Sequence, residues 1–113
     1  MALIANTTGT RNVAVGSSAG AAVTTGDYNT FIGTYAGDAT TTADSNTAVG
    51  QGALTANTTG SNNTALGANT LEANTTADAN TAVGYAALNL NTTGADNVAV
   101  GAYVGDAITT GYR

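Results

Sequence analysis

The feature that most constrains this chain is a 17-residue repeat whose period is never broken. The stretch Asn46–Gly50 reads Asn-Thr-Ala-Val-Gly, and variants of it recur along the whole chain. Each copy begins one period after the previous one, as Asn63 follows Asn46, with no insertion or deletion. A fixed period in this range predicts a solenoid, in which each repeat forms one coil.

The chain divides into one partial unit and six full units when position 1 is assigned to the Asn of each copy. They form a single repeat domain, 1–113, with the partial unit at 1–11 and full units at 12–28, 29–45, 46–62, 63–79, 80–96 and 97–113. Positions 13 and 14 are Thr in every unit. Asn at position 1 and Gly at position 5 are present in all six full units, and we interpret them as the structural residues of the repeat: Asn12, Gly16, Asn29, Gly33, Asn46, Gly50, Asn63, Gly67, Asn80, Gly84, Asn97 and Gly101.

Each unit is predicted to contain two short strands and two bends. Thr47–Val49 is β-branched and apolar, which favours a strand, and Gly50 can supply the positive φ of a tight bend. A second extended run is predicted over 53–59, followed by a turn at Gly60. Because a 17-residue unit is too short for a strand and a crossover helix, the sequence predicts an all-β fold.

Strand alternation determines which side chains share a face. Positions 2 and 4 point to one side of the strand and position 3 to the other. We expect position 3 to face out of the coil and to be buried against another chain, because small apolar residues allow close approach of a second backbone. The alternative is that Ala simply fits a tight bend. The residues at position 3 are Ala14, Phe31, Ala48, Ala65, Ala82 and Ala99.

Two further patterns indicate a packed coil interior. Position 9 is Leu where position 12 is Asn, and Gly where position 12 is Val, Thr or Ile, so we predict that these positions fill one pocket. The Asn column at position 1 and the Thr columns at positions 13 and 14 should stack from coil to coil. Stacked Asn amides can form hydrogen-bonded ladders along the axis.

Composition argues against several function classes. The chain has seven acidic and two basic residues, a net charge of −5, and no His or Cys. Nucleic-acid binding requires clustered Lys and Arg, and no apolar run is long enough to insert into a membrane. No His is available as a general base, and no Cys can act as a nucleophile. We therefore predict that the protein is not an enzyme and has no cofactor.

The carboxylates and threonines suggest two alternatives that we consider weaker. The acidic residues scatter over positions 10, 16 and 17, so the converging oxygens of a calcium site are not expected and no metal site is predicted. The Thr pairs raise the possibility of ice binding. Adjacent strand residues point to opposite faces, however, which would leave only one Thr column outward.

Tyrosines are the candidate recognition residues. Exposed Tyr often contributes to binding, and we select Tyr35, Tyr85 and Tyr103 as candidates for surface recognition. The alternative is that the five tyrosines, which include Tyr28 and Tyr112, cover gaps near turns.

The repeat resembles a known group of proteins. Asn-x-Ala-Val-Gly followed by Ala-Leu and Asn-Thr-Thr-Gly is similar to the head repeats of YadA-type trimeric autotransporter adhesins and to arrays in tail-fibre proteins of bacteriophages. The resemblance covers essentially the whole chain and implies a left-handed parallel β-roll, with three chains side by side in a homotrimeric rod. The adhesin heads use units somewhat shorter than the 17-residue repeat of this chain.

These observations give one functional hypothesis and two alternatives. The first is a structural rod or receptor-binding segment of a trimeric fibre, in a phage tail or similar appendage, whose partner is a cell-surface receptor or glycan. The alternatives are the head of a bacterial trimeric adhesin and an extracellular filament whose subunits stack end to end. All three place the protein in a virion tail fibre or outside the cell.

Overall fold

The protein is a parallel β-solenoid with 17-residue coils, as a computed structural model of residues 1–111 shows. Each full unit contributes one three-residue strand. The strands are β1 (Val13–Val15), β2 (Thr30–Ile32), β3 (Thr47–Val49), β4 (Thr64–Leu66), β5 (Thr81–Val83) and β6 (Val98–Val100). Residues 112 and 113, which include Tyr112 and end the last unit, lie outside the described part.

The six strands form one parallel sheet in the order β1-β2-β3-β4-β5-β6. Each residue of β1 to β5 pairs with the residue one period later, as Thr47 does with Thr64 and Ala48 with Ala65. The principal extents of the molecule are 35 × 20 × 16 Å. The predicted all-β solenoid and its period are confirmed, and residues 1–111 contain no helix.

The predicted second strand is wrong. Residues 53–59 form turns and bends, although their backbone still bonds to the next coil, with Leu54 N–H donating to the Thr70 carbonyl at 3.0 Å. Leu54 at position 9 has φ of 57°, and Leu71 and Leu88 have 51° and 50° at the same position. A left-handed residue interrupts an extended run, and Leu rarely adopts this conformation.

The bend after each strand depends on glycine. Gly50 has φ of +137°, and a Cβ built on it would lie 2.5 Å from the carbonyl carbon and oxygen of Gly67 in the next coil. Both the conformation and the close backbone approach therefore exclude a side chain. The five other glycines at position 5 have φ between 126° and 133°, so the whole column shares this positive-φ conformation.

Position 3 faces into the coil, contrary to our expectation. Ala48, Ala65 and Ala82 have no exposed surface within a single chain, and Phe31 is equally buried. They belong to one core cluster with the Leu side chains of position 9. The Ala column is therefore packed against its own coil and is not available to another chain.

Large and small residues alternate across this interior. A Cβ on Gly20 would lie 2.8 Å from Cδ2 of Phe31, and a Cβ on Gly37 would clash with the same ring. The Phe ring therefore occupies the space that Leu fills in other coils. In the last coil positions 9 and 12 share a pocket as predicted, since a Cβ on Gly105 would lie 3.3 Å from Cδ1 of Ile108.

The Asn column forms the expected ladder. The Oδ1 atom of Asn46 accepts the backbone N–H of Asn63 at 3.0 Å, and its Nδ2 donates to the Gly60 carbonyl at 2.9 Å. The same pattern recurs along the column, and Asn46, Asn63 and Asn80 are fully buried. The amides supply partners to backbone groups at the start of each strand, where unpaired groups would be costly.

Candidate functional site

The outward side of the six strands is the candidate association surface, and we call it the sheet face. It consists of the side chains at positions 2 and 4, which alternate with the buried residues of position 3. None of its residues is charged. They are Val13, Val15, Thr30, Ile32, Thr47, Val49, Thr64, Leu66, Thr81, Val83, Val98 and Val100.

Large apolar groups on the sheet face are open to solvent. The exposed fraction is 57% for Val15, 39% for Ile32 and 36% for Leu66, and it rises to 66% for Val100 in the last strand. Val49 and Val83 in the same column are partly buried by their neighbours. Position 4 therefore forms a continuous aliphatic column that crosses all six strands.

This exposure is unusual for the type of sheet. Parallel sheets occur almost only with both faces covered, since their strands read as apolar on both sides. Here the interior of the coil covers one side, and the Thr and aliphatic side chains of the other side remain partly or largely exposed within residues 1–111. A contiguous apolar surface of this kind is a candidate interaction site.

The candidate recognition tyrosines lie in the bends that follow the strands. Tyr85 and Tyr103 belong to neighbouring coils, and their rings pack edge to face with centroids 5.3 Å apart. Tyr35 lies in the corresponding bend of the unit 29–45, three units before the unit that contains Tyr85. All three side chains are about half exposed, at 48%, 57% and 49%. The structure therefore brings together two of the three predicted residues.

A polar cluster lies at the corner where the chain enters β1 and β2. Arg11 Nη1 donates to the Tyr28 hydroxyl at 2.6 Å, and its guanidinium lies 5.1 Å from the centroid of that ring. The backbone N–H and hydroxyl of Thr10 both donate to Asp27 Oδ1. These two bonds, together with the charge of Arg11, lower the pKa of Asp27. The cluster joins adjacent coils and supplies no reactive group.

The other carboxylate with a perturbed titration is Asp38. Partial burial raises its pKa, because a charged carboxylate loses hydration there, and its Oδ1 has no hydrogen-bond partner. Within residues 1–111, no three His, Cys, Asp or Glu side chains converge in a way that could hold a metal ion, and no pocket is enclosed.

One finding concerns membranes. Among residues 1–111, no helix has the length and apolar character that crossing a bilayer requires.

Sequence reasoning assigned the sheet face to the interior of the coil. A signal that could have corrected this is size. Position 4 is Val, Ile or Leu in all six units, whereas position 3 is Ala in five. In a coil whose opposite wall already supplies Leu, only small residues fit on the near wall, so the larger ones must point outward.

Comparison with known proteins adds no assignment. A scan against models of protein families, a search of curated proteins and a search of solved structures each gave no match to this chain.

Proposed function

We propose that this chain is the rod-forming segment of a homotrimeric fibre, in a phage tail fibre or a similar surface appendage. In this proposal three solenoids lie side by side with their sheet faces toward a common axis. The role is mechanical: the rod holds its shape, spaces other parts of the fibre and carries receptor-binding residues.

The observation that carries the proposal is the uncharged sheet face. Its aliphatic column runs the full length of the sheet, and burying such groups removes apolar area from water at about 25 cal/mol per Å². A second copy of the same chain fits because its column has the same spacing between strands, about 4.8 Å. A three-fold rotation also closes the assembly, so that no sheet face is left open.

The resemblance to YadA-type head repeats supports the number three. The resemblance implies that the Asn and Gly of each unit correspond to the residues that hold turns in those rolls, and the left-handed winding of the family is part of the proposal. The proposed contacts to a receptor or glycan are made by Tyr35, Tyr85 and Tyr103, which lie in the bends bordering the sheet face.

The mass of the protein in solution tests this proposal. Light scattering should give three times the 10.9 kDa chain mass. Leu66→Lys places a charge at the centre of the sheet face and should shift the mass to that of one chain, because an unpaired charge is strongly disfavoured in an apolar interface.

Gln51→Lys is the matched control, since Gln51 is exposed and lies outside the sheet face. It should leave the mass at three chains. A wild-type mass of one chain would contradict the proposal, and micrometre-long threads in negative stain would support the end-to-end filament instead.

A further inference from the structure

The Thr pairs at positions 13 and 14 form a surface that the proposed rod function does not use. Thr occupies both positions in all seven units. Position 13 has an evident internal role. The Thr24, Thr41 and Thr58 hydroxyls each donate to the backbone carbonyl of the Thr one coil further on, at 3.2 to 3.3 Å.

Position 14 has no such role. Thr25, Thr42 and Thr59 are exposed, and within residues 1–111 no side chain of this column makes a hydrogen bond. A solvent-facing side chain without an internal hydrogen bond is free to vary between repeats, yet here it is the same residue seven times. This regularity requires an explanation outside the coil.

The two columns also reach the surface together. Positions 13 and 14 lie in a bend and not in a strand, so the alternation of strand side chains does not apply. Between the ends of the solenoid, position 13 is partly exposed and position 14 is exposed. The alternation argument against an outward Thr surface therefore does not apply, and position 14 is the more exposed of the two columns.

The band around the Thr columns is uncharged along its whole length. Position 11 is Ala in every unit except for Leu90, and position 15 is Gly or Ala. The charged residues lie outside it, at positions 10, 16 and 17. The band also contains no aromatic ring, so it lacks the stacking platform on which sugars and bases pack.

From this geometry we propose that the Thr band binds the surface of ice. Rigid rows of hydroxyl and methyl groups repeat at the coil spacing of about 4.8 Å. Hydroxyls can hold ordered water by hydrogen bonds, and the methyl groups between them favour a cage-like first shell. A charged surface would disrupt such a layer, and the hydrogen bonds of position 13 hold that column in place.

Partition into slowly growing ice tests the proposal. The wild-type protein should be enriched in the ice fraction. The double variant Thr42→Lys with Thr59→Lys interrupts the exposed column at its centre, and its enrichment should fall roughly tenfold, which corresponds to about 1.4 kcal/mol.

The matched control is Gln51→Lys with Asn62→Lys, which adds the same charge at exposed sites outside the band. It should partition like the wild type. Thermal unfolding followed by circular dichroism checks that both variants are folded. Light scattering on the same samples separates this proposal from the trimer, because neither variant touches the sheet face.

Two results would overturn the proposal. One is exclusion of the folded wild-type protein from ice. The other is an equal loss of enrichment in both double variants. Thr-dependent binding to insoluble cellulose or chitin, with exclusion from ice, would assign the band to a polysaccharide instead.

Discussion

The two faces of the six-stranded sheet differ although the same strands build both. The inward face is a column of Ala with one Phe, fully buried except near the ends of the solenoid, whereas the outward face carries larger aliphatic residues that stay partly in water. The larger side chains therefore lie on the more exposed side. This inversion shows that interior width, and not hydrophobicity alone, decides which residue faces inward.

The inward face accommodates a large side chain only where the residues on the opposite wall of the coil are small. Phe31 is accommodated because Gly20 and Gly37 leave room for its ring. In the unit 80–96, Ala82 faces a wall that holds Leu88. On the outward face, the size of a side chain does not depend on an opposite wall.

Substitutions on adjacent residues of one strand can therefore test the difference between the inward and outward faces. They are best measured on the Leu66→Lys background, where we expect the copies to be separate and only folding contributes.

The largest effect is expected for Phe31→Ala. It removes a fully buried ring in a region where the neighbouring position-9 residues are glycines, so the cavity cannot be filled, and it should lower the free energy of unfolding by about 3–5 kcal/mol. Ile32→Ala on the outward face should cost about 1 kcal/mol or less. Urea unfolding measures both, and equal losses would contradict the assignment of the two faces.

A smaller effect is expected when bulk is added. Ala82→Phe overpacks the interior against Leu88 and should cost about 1–3 kcal/mol, whereas Val83→Phe points outward and should change stability by no more than about 0.5 kcal/mol. Leu88→Gly should partly restore Ala82→Phe, because it recreates the Phe–Gly pairing of Phe31 with Gly37.

A double-mutant cycle detects that rescue. The coupling between Ala82→Phe and Leu88→Gly should be favourable by about 0.5–3 kcal/mol. Additive losses from the two substitutions would mean that positions 3 and 9 do not share one space, and would leave the inward face unexplained.

Much of the fold could be predicted from the sequence because the repeat period determines how the coils stack. A strict 17-residue spacing predicts stacked coils, Gly50 predicts the tight bend, and the buried Asn46 column predicts the ladder. These features depend on local chemistry that every unit repeats. The all-β class follows from the shortness of the unit.

The second strand could not be excluded from sequence because the residue that breaks it is Leu. Leu54 adopts φ of 57°, a conformation normally associated with Gly or Asn. Ala79 and Tyr28 do the same at position 17, with φ of 59°. Only the stacking of neighbouring coils holds such residues in the left-handed conformation, and no local sequence pattern predicts that conformation.

The sequence predicted an apolar association surface but assigned it to position 3, on the face of the strands that lies inside the coil. Alternation shows that Ala48 and Val49 face opposite ways, but it does not say which of them faces inward. That choice depends on the far wall of the coil, where Leu54 already fills the space. The expectation of an apolar face suited to sister chains therefore moves from the Ala column to the sheet face, where it remains a proposal.

Thiol labelling tests the central claim, that the sheet face is buried between copies of this chain, most directly. The protein has no cysteine, so a single introduced one is a unique probe. Leu66 and Gln51 are both exposed in one chain. We predict that native Leu66→Cys resists a maleimide reagent until the protein is denatured, while Gln51→Cys reacts at once. Equally rapid labelling of both thiols in the native protein would contradict the claim.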